Sequence, residues 1–290
     1  MRLNIPIKRL LPGFESRLLL RRVVNIPRDS YDWLMGRRDP LIPSHGLWFV
    51  GGEHEYQAIN EEYVGHFVEL GGLQPRHRVL EVGCGIGVMA ARLAKFLSTE
   101  GSYDGFDIVR VGIRWASKHI SPGFPNFRFI HVDVFNKHYN PGGRLAPDSF
   151  VFPYEASTFD FVFLKSVFTH MLPSAVQHYL REIRRVLKPS GCCLITAFLV
   201  EDVSTELIRA GRSSIALTHD FGGCRVIDPK FPETTVGLLE QSFHQWCADA
   251  GLKLHSPIHF GSWSGRKTYL SYQDILVLVP AKGELSRLRW

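Results

Sequence analysis

The residues of this chain that could do chemistry recur at the ends of apolar runs. The first run, Val79-Leu80-Glu81-Val82, stops at Gly83-Cys84-Gly85-Ile86-Gly87 and passes into residues 88–97, whose apolar positions fall at helical spacing. Glycines at a strand-to-helix junction let the main chain turn sharply and bring bare N–H groups against a ligand. The spacing is G-x-G-x-G rather than the G-x-G-x-x-G of dinucleotide sites, so the turn points only to a nucleotide-like ligand. A second run, residues 103–109, carries Asp107 20 residues after Gly87, where a carboxylate can accept from two ribose hydroxyls. A third, residues 127–133, ends in Asp133. A glycine turn and two acids at successive strand ends would line one rim of a parallel sheet, where open α/β sheets bind ligands.

The elements that must position these groups can be followed in order. Residues 1–45 are interrupted by Pro6, Pro12, Pro27, Pro40 and Pro43, so only short helical pieces are expected in an extension that could serve as a lid or dimer arm. Residues 53–70 form a helix with Tyr56, Ile59, Tyr63, Phe67 and Leu70 on one face, closed by Gly71-Gly72. After a helix at 111–120, residues 159–164 are an apolar strand, and Lys165-Ser166-Val167-Phe168-Thr169-His170-Met171 leaves it. A helix at 174–187 leads to a strand at 192–199. Residues 201–234 hold no strong strand; 235–250 are expected as a helix with Val236, Leu239, Phe243 and Trp246 inward. Strands at 252–260 and 272–279 close the chain.

The stretches VLEVGCGIG, GFDIV, FIHVDVF, FDFVFLKSVFTHM and LREIRRVLKPSGCCLITAF together resemble the class I S-adenosylmethionine-dependent methyltransferases over about residues 55–200. The resemblance implies an α/β, Rossmann-like, seven-stranded, mostly parallel sheet with helices on both faces and an antiparallel strand seven, in the order 3-2-1-4-5-7-6. It implies that Gly83, Cys84 and Gly85 approach the amino acid end of the cofactor, that Glu81 holds its ammonium and that Asp107 takes the ribose. Asp133 would accept from the adenine amino group, Val134 and Ile108 would sandwich the ring, and Lys165 would complete the cofactor site. The domain would run from 46 to 290 after the basic extension 1–45, with cap segments at 135–150, 201–234 and 261–269.

Composition bounds the rest. With 290 residues, 45% apolar and 21% charged, the chain has the make-up of a soluble globular protein, and no apolar run reaches the roughly 18 to 20 residues of a membrane span. Cys84, Cys192, Cys193, Cys224 and Cys247 form no C-x-x-C pair and are expected as thiols in a reducing cytoplasm. Of the net charge of +6, nine Lys or Arg against four acids place +5 in the first 40 residues. Such a leader could meet anionic lipid in a weak peripheral contact, or a partner subunit, a homodimer included. No H-E-x-x-H is present, and His131-x-Asp133 reads better as cofactor binding than as a metal site. Without an Asn/Asp-Pro-Pro-Tyr/Phe sequence at the strand-four exit or a basic-aromatic RNA platform, no nucleic-acid partner is expected.

Methyl transfer needs mainly an in-line nucleophile held close to the methyl carbon, and a hydroxyl acceptor adds a need for a base. His170, at the strand-four exit, is the candidate base, although the family often uses a histidine there for packing or a backbone bond. His259 and His219 are its rivals and, with Trp263 and Arg266, candidate substrate contacts. The leading expectation is methylation of a small molecule at oxygen, such as a sugar or glycolipid hydroxyl. N-methylation, a non-catalytic cofactor-binding subunit that docks a partner, and a nicotinamide enzyme stand behind it.

Overall fold

Strand β1, Arg78–Val82, sits inside the sheet, in parallel register with β2 (Ser102–Asp107) on one side and β4 (Phe159–Leu164) on the other. The computed structural model describes residues 14–50 and 53–281. The part of the basic leader that carries Arg2, Lys8 and Arg9, with Pro6 and Pro12, therefore lies outside the described residues. So does the side chain of Tyr56, in the first turn of α2 (Glu53–Glu69).

Beyond β2 lies β3 (Phe127–His131), and beyond β4 come β5 (Leu187–Ala197), β11 (Asp274–Pro280) and β10 (Leu252–Leu254). β11 runs antiparallel to both neighbours, so the observed order 3-2-1-4-5-11-10 is the expected topology with the last two strands renumbered. Alternation along the strands builds two cores. Leu80, Val82, Val162 and Leu164 pack on one face with α5 (Pro173–Val186), while Val79, Phe161 and Phe163 pack on the other with Tyr63 and Phe67 of α2. The remaining crossovers are α3 (Val88–Leu93) and α4 (Arg110–His119). α3 is shorter than its apolar spacing suggests, because after Leu93 the amides of Lys95 and Phe96 bond three residues back and tighten the turn.

Three expectations need correction. First, residues 14–34 are one helix, α1 (Phe14–Leu34), running through Pro27 rather than short pieces. Its second half is held from outside: Asp29 accepts from the amides of His45 and Gly46, and Asp32 bonds the His45 ring. Pro27 is exposed, so its ring lies on the solvent side of the helix. Second, residues 201–234 contain α6 (Asp202–Arg209) and two strands, β7 (His219–Phe221) and β8 (Cys224–Val226). Third, the helix expected at 235–250 begins as a strand, β9 (Val236–Leu239), and is helical only in α7 (Glu240–Asp249). A Cβ on Gly237 would lie 2.5 Å from Leu217 and 2.8 Å from Val200, so close sheet packing, not helical phase, fixes this segment. With β6 (Leu199–Val200) these strands form a second sheet in the order β6-β9-β8-β7. Cys224, Val226, Val236 and Leu238 bury it against the main core.

Candidate active site

The glycine turn is shaped by contacts at its rim. The amides of Gly83 and Cys84 both donate to the Phe106 carbonyl at the end of β2, which folds the chain back over the sheet. Gly83 adopts φ 77°, and a Cβ there would lie 2.5 Å from the Val167 side chain. The turn thus needs a residue without a side chain both for conformation and for space. On the far side, a Cβ at Gly112 of α4 would stand 2.3 Å from the Gly85 carbonyl, a close approach that the spacing did not signal.

Around this turn opens a cleft of about 390 Å³. Glu81, Gly83, Cys84, Gly85, Asp107, Ile108, Val134, Lys165 and His170 all line it. The Asp107 carboxylate is set by the main chain: Oδ2 accepts from the Gly85 amide and Oδ1 from the Val109 amide, each at 2.7 Å. Burial raises its pKa against the pull of these bonds. Two fixed oxygens with lone pairs to spare can accept from a vicinal diol.

Glu81 and Lys165 form the ionisable floor. Burial pushes Glu81 up to about 8, opposed by the hydrogen bond donated from Tyr103 and by the Lys165 charge. Burial likewise pushes Lys165 down to about 8, opposed by Glu81. Its ammonium also stands 4.9 Å over the Tyr63 ring. Such a pair can receive a zwitterionic amino acid group, acid to ammonium and lysine to carboxylate.

Ser166 next to it has φ 59°, unusual for a residue with a side chain. Its amide donates to Thr196 Oγ1 at 2.8 Å and its hydroxyl to Gln273 Oε1 at 3.0 Å, while the Thr196 hydroxyl donates to the same oxygen at 2.6 Å. The exits of β4 and β5 and the start of β11 are thereby tied together, and Gln273 joins the cleft lining.

His170 sits in a short turn at the β4 exit, half-buried beside Tyr139 at a ring-centre distance of 5.9 Å. Its Nδ1 is 3.1 Å from the Glu233 carbonyl, which can only accept, so the proton is on Nδ1 and Nε2 keeps a lone pair. Burial lowers the pKa of this imidazole, the backbone contacts opposing it, so the neutral ring prevails at pH 7. Glu233 also holds the 135–150 segment through Oε2, which accepts from the Lys137 amide. A neutral histidine of this tautomer in an apolar wall of Phe135, Tyr139, Met171 and Tyr179 can take a proton from a bound hydroxyl.

Other expected residues lie elsewhere. Asp133 is not in the cleft lining; its carboxylate is bonded by Arg144 Nε at 2.7 Å and Asn140 Nδ2 at 3.2 Å. Alternation past β3 buries Val132 and Val134 and turns Asp133 to the loop between them and the next strand. Trp263 is completely buried, its Nε1 donating to Asp274, and packs with Phe198, Val200 and Leu217. Arg266 pairs with Glu201 at 2.7 Å and stacks on Phe260 at 4.3 Å. His219 is exposed on β7, and His259 bridges to Ile275 beside β11; neither lines the cleft. All five cysteines are buried free thiols, and among the described residues no group of three His, Cys, Asp or Glu is arranged for a metal. No helix among them is long and apolar enough to cross a membrane.

Fold and cleft together define a Rossmann-like methyltransferase. The fold is shared with PH0226 protein from Pyrococcus horikoshii OT3 (TM-score 0.54, 19% identity, 79% of this chain and 92% of that one). It is shared too with magnesium protoporphyrin IX methyltransferase from Synechocystis PCC 6803, whose structure has bound SAH (S-adenosylhomocysteine; TM-score 0.50, 15% identity, 90% and 98%). The family model of a methyltransferase domain, Methyltransf_31, matches residues 73–251, and the chain belongs to that family, as a class I S-adenosylmethionine-dependent member. Among curated proteins it is similar to sterol 24-C-methyltransferase ERG6B of Gibberella zeae, 27% identical over 64% of this chain. The enzyme erg6 of the same name from Aspergillus fumigatus is 28% identical over 65%. The chain spans less than half the length of these relatives, 43% and 44%.

Proposed function

We propose that this protein methylates a hydroxyl group on a small, largely apolar molecule, with His170 as the general base. The observation that carries the reading is the Nδ1 contact to the Glu233 carbonyl, which leaves Nε2 as a neutral acceptor at the cleft wall. S-adenosylmethionine would supply the methyl group on its sulfur. Glu81 would hold its ammonium, Lys165 its carboxylate and Asp107 its ribose, with Gly83, Cys84 and Gly85 against the amino acid end and Ile108 and Val134 on the adenine. The acceptor hydroxyl would give its proton to Nε2 as the new carbon–oxygen bond forms and the methyl–sulfur bond breaks, with S-adenosylhomocysteine leaving; the base contributes about 10² to 10⁴ in rate.

The apolar character of the acceptor is supported by Phe135, Tyr139, Met171 and Tyr179 in the cleft lining, with Tyr139 against His170. The relatives named as sterol methyltransferases agree with an apolar acceptor, and a glycolipid hydroxyl fits as well. In this reading segments 135–150 and 201–234 cap the acceptor jointly, since Lys137 and Glu233 clasp them together. Segment 261–269 acts as a brace instead, through Trp263 and Asp274.

The test is transfer from isotope-labelled S-adenosylmethionine to a panel of hydroxylated lipids and amines, with the product located by mass spectrometry. A methyl on oxygen, lost in His170→Ala, supports the proposal. A methyl on nitrogen or carbon overturns the hydroxyl acceptor, and full turnover in His170→Ala overturns the base.

A further inference from the structure

Helix α1 carries its apolar side chains on the wrong side for a helix that merely packs on a domain. With about 3.6 residues per turn, Leu18, Asn25, Asp29 and Asp32 share the face turned to the protein. The opposite arc, nearly half of the circumference, runs through Ile26, Leu19, Val23, Leu34, Tyr31 and Val24 and holds no charge. All six are exposed, and Trp33 at its edge is 82% exposed. Arg17 and Arg28 follow one border of this arc and Arg22 the other, on the same spacing. Two of the three acids of the helix are turned away: Asp29 is spent on the His45 and Gly46 amides, and Asp32 on the His45 ring at 2.7 Å.

We propose that α1 is an interfacial helix that seats the protein on an anionic lipid bilayer. An apolar arc bordered by arginines matches such a surface on both counts, since the side chains enter the acyl boundary and the guanidiniums reach headgroup phosphates. Charge decides against a second copy of the chain as occupant. A twofold contact between two such arcs sets arginine borders near one another, with Glu15 the lone acid of the helix not turned to the His45 turn. The seat also has a defined relation to the cleft. Phe14, at the start of α1, packs edge-on against Phe49 at 5.4 Å and Tyr139 at 5.5 Å, and both of these rings line the cleft. Docking α1 on a bilayer therefore holds the cleft wall one helix diameter, roughly 10 Å, from the lipid surface. The proposal does not depend on which acceptor is methylated or on the role of His170.

The test is co-sedimentation of the full chain with vesicles of equal parts phosphatidylcholine and phosphatidylglycerol, and with phosphatidylcholine alone. The wild type is expected to sediment with the mixed vesicles, more weakly at high salt and hardly at all with the neutral ones. The pair Val23→Asp and Leu34→Asp, both solvent-facing and so compatible with folding, should weaken binding about tenfold or more while SAH binding stays at the wild-type level. Replacing Arg22 and Arg28 by Gln should flatten the salt dependence. A wild type that stays in solution with mixed vesicles, or sediments equally with neutral ones, overturns the proposal. So does a dimer in sedimentation velocity that Val23→Asp splits without changing vesicle binding.

Discussion

The two halves of the cleft are made of different material. The half around Gly83, Gly85 and Asp107 is main chain: carbonyl Phe106, amides of Gly83, Cys84, Gly85 and Val109, and a carboxylate fixed by two of them. The half around His170 is side chain: the Tyr139 ring lies against the imidazole, which is held by the Glu233 carbonyl from the short turn ahead of β9. Main chain positioned by parallel strands varies little with the residues it carries, so that half can keep one ligand. Side chains on connecting segments are free to change, so in the proposed reading acceptor choice resides in the other half.

Several measurements can break or sharpen that contrast. The largest effect is expected from His170→Ala, about 10² to 10⁴ lower in kcat with SAH affinity unchanged in calorimetry. A loss of SAH affinity there would join the two halves into one. Next, Gly83→Ala should abolish measurable SAH binding, because the new Cβ meets Val167 in a left-handed conformation. Asp107→Ala should weaken SAH by about 1 to 3 kcal/mol, the cost of hydrogen bonds to a charged group.

The pH dependence of that affinity carries a definite sign. Glu81, pushed up to about 8, is protonated in the ligand-free protein below that value, and an ammonium requires the carboxylate. A proton must then be released on binding, so SAH affinity should fall as pH drops below about 8, by up to about tenfold per unit. Glu81→Gln should remove this slope; an unchanged slope would place the ammonium elsewhere. Smallest of all, Arg266→Ala should leave acceptor KM within about twofold, since its guanidinium is occupied by Glu201 and Phe260 outside the cleft. A large KM change there would move the acceptor site toward the 261–269 segment.

The contrast also governs what could be read from the residues in order. The glycine turn and Asp107 are legible because main-chain sites need particular residues at particular distances along the chain. Glu81 and Lys165 stand out as charges inside apolar runs. His170 could be picked out by its place at a strand exit, but not its tautomer, which depends on a carbonyl 63 positions away. Asp133 followed the same strand-end logic and met Arg144, because one step of alternation decides which side of the rim a carboxylate faces. Trp263 looked like a grip for a ligand; the available signal for its true partner was Asp274, a lone acid heading an otherwise apolar strand. In residues 236–246 helical and strand periodicities coincide, and Gly237 was the single mark against a helix. Tyr139, Ser166 and Gln273 had no such mark, since tertiary contacts alone bring them to the cleft.

Ser166 ties the exit of β4 to Gln273, which immediately precedes the last strand of the described sheet. During synthesis, a nascent chain of 250 residues already has every residue of the glycine turn and Asp107, but neither Gln273 nor the strand that pairs with β5. Ribosome-bound chains of that length are therefore expected to lack SAH binding and to resist proteolysis poorly, gaining both only once residues 274–280 have emerged. Full binding by a chain halted at 250 would mean that the Ser166 turn holds its shape without Gln273. Otherwise the pocket stays unfinished until residues 274–280 have emerged, and whatever shields nascent chains must cover it until then.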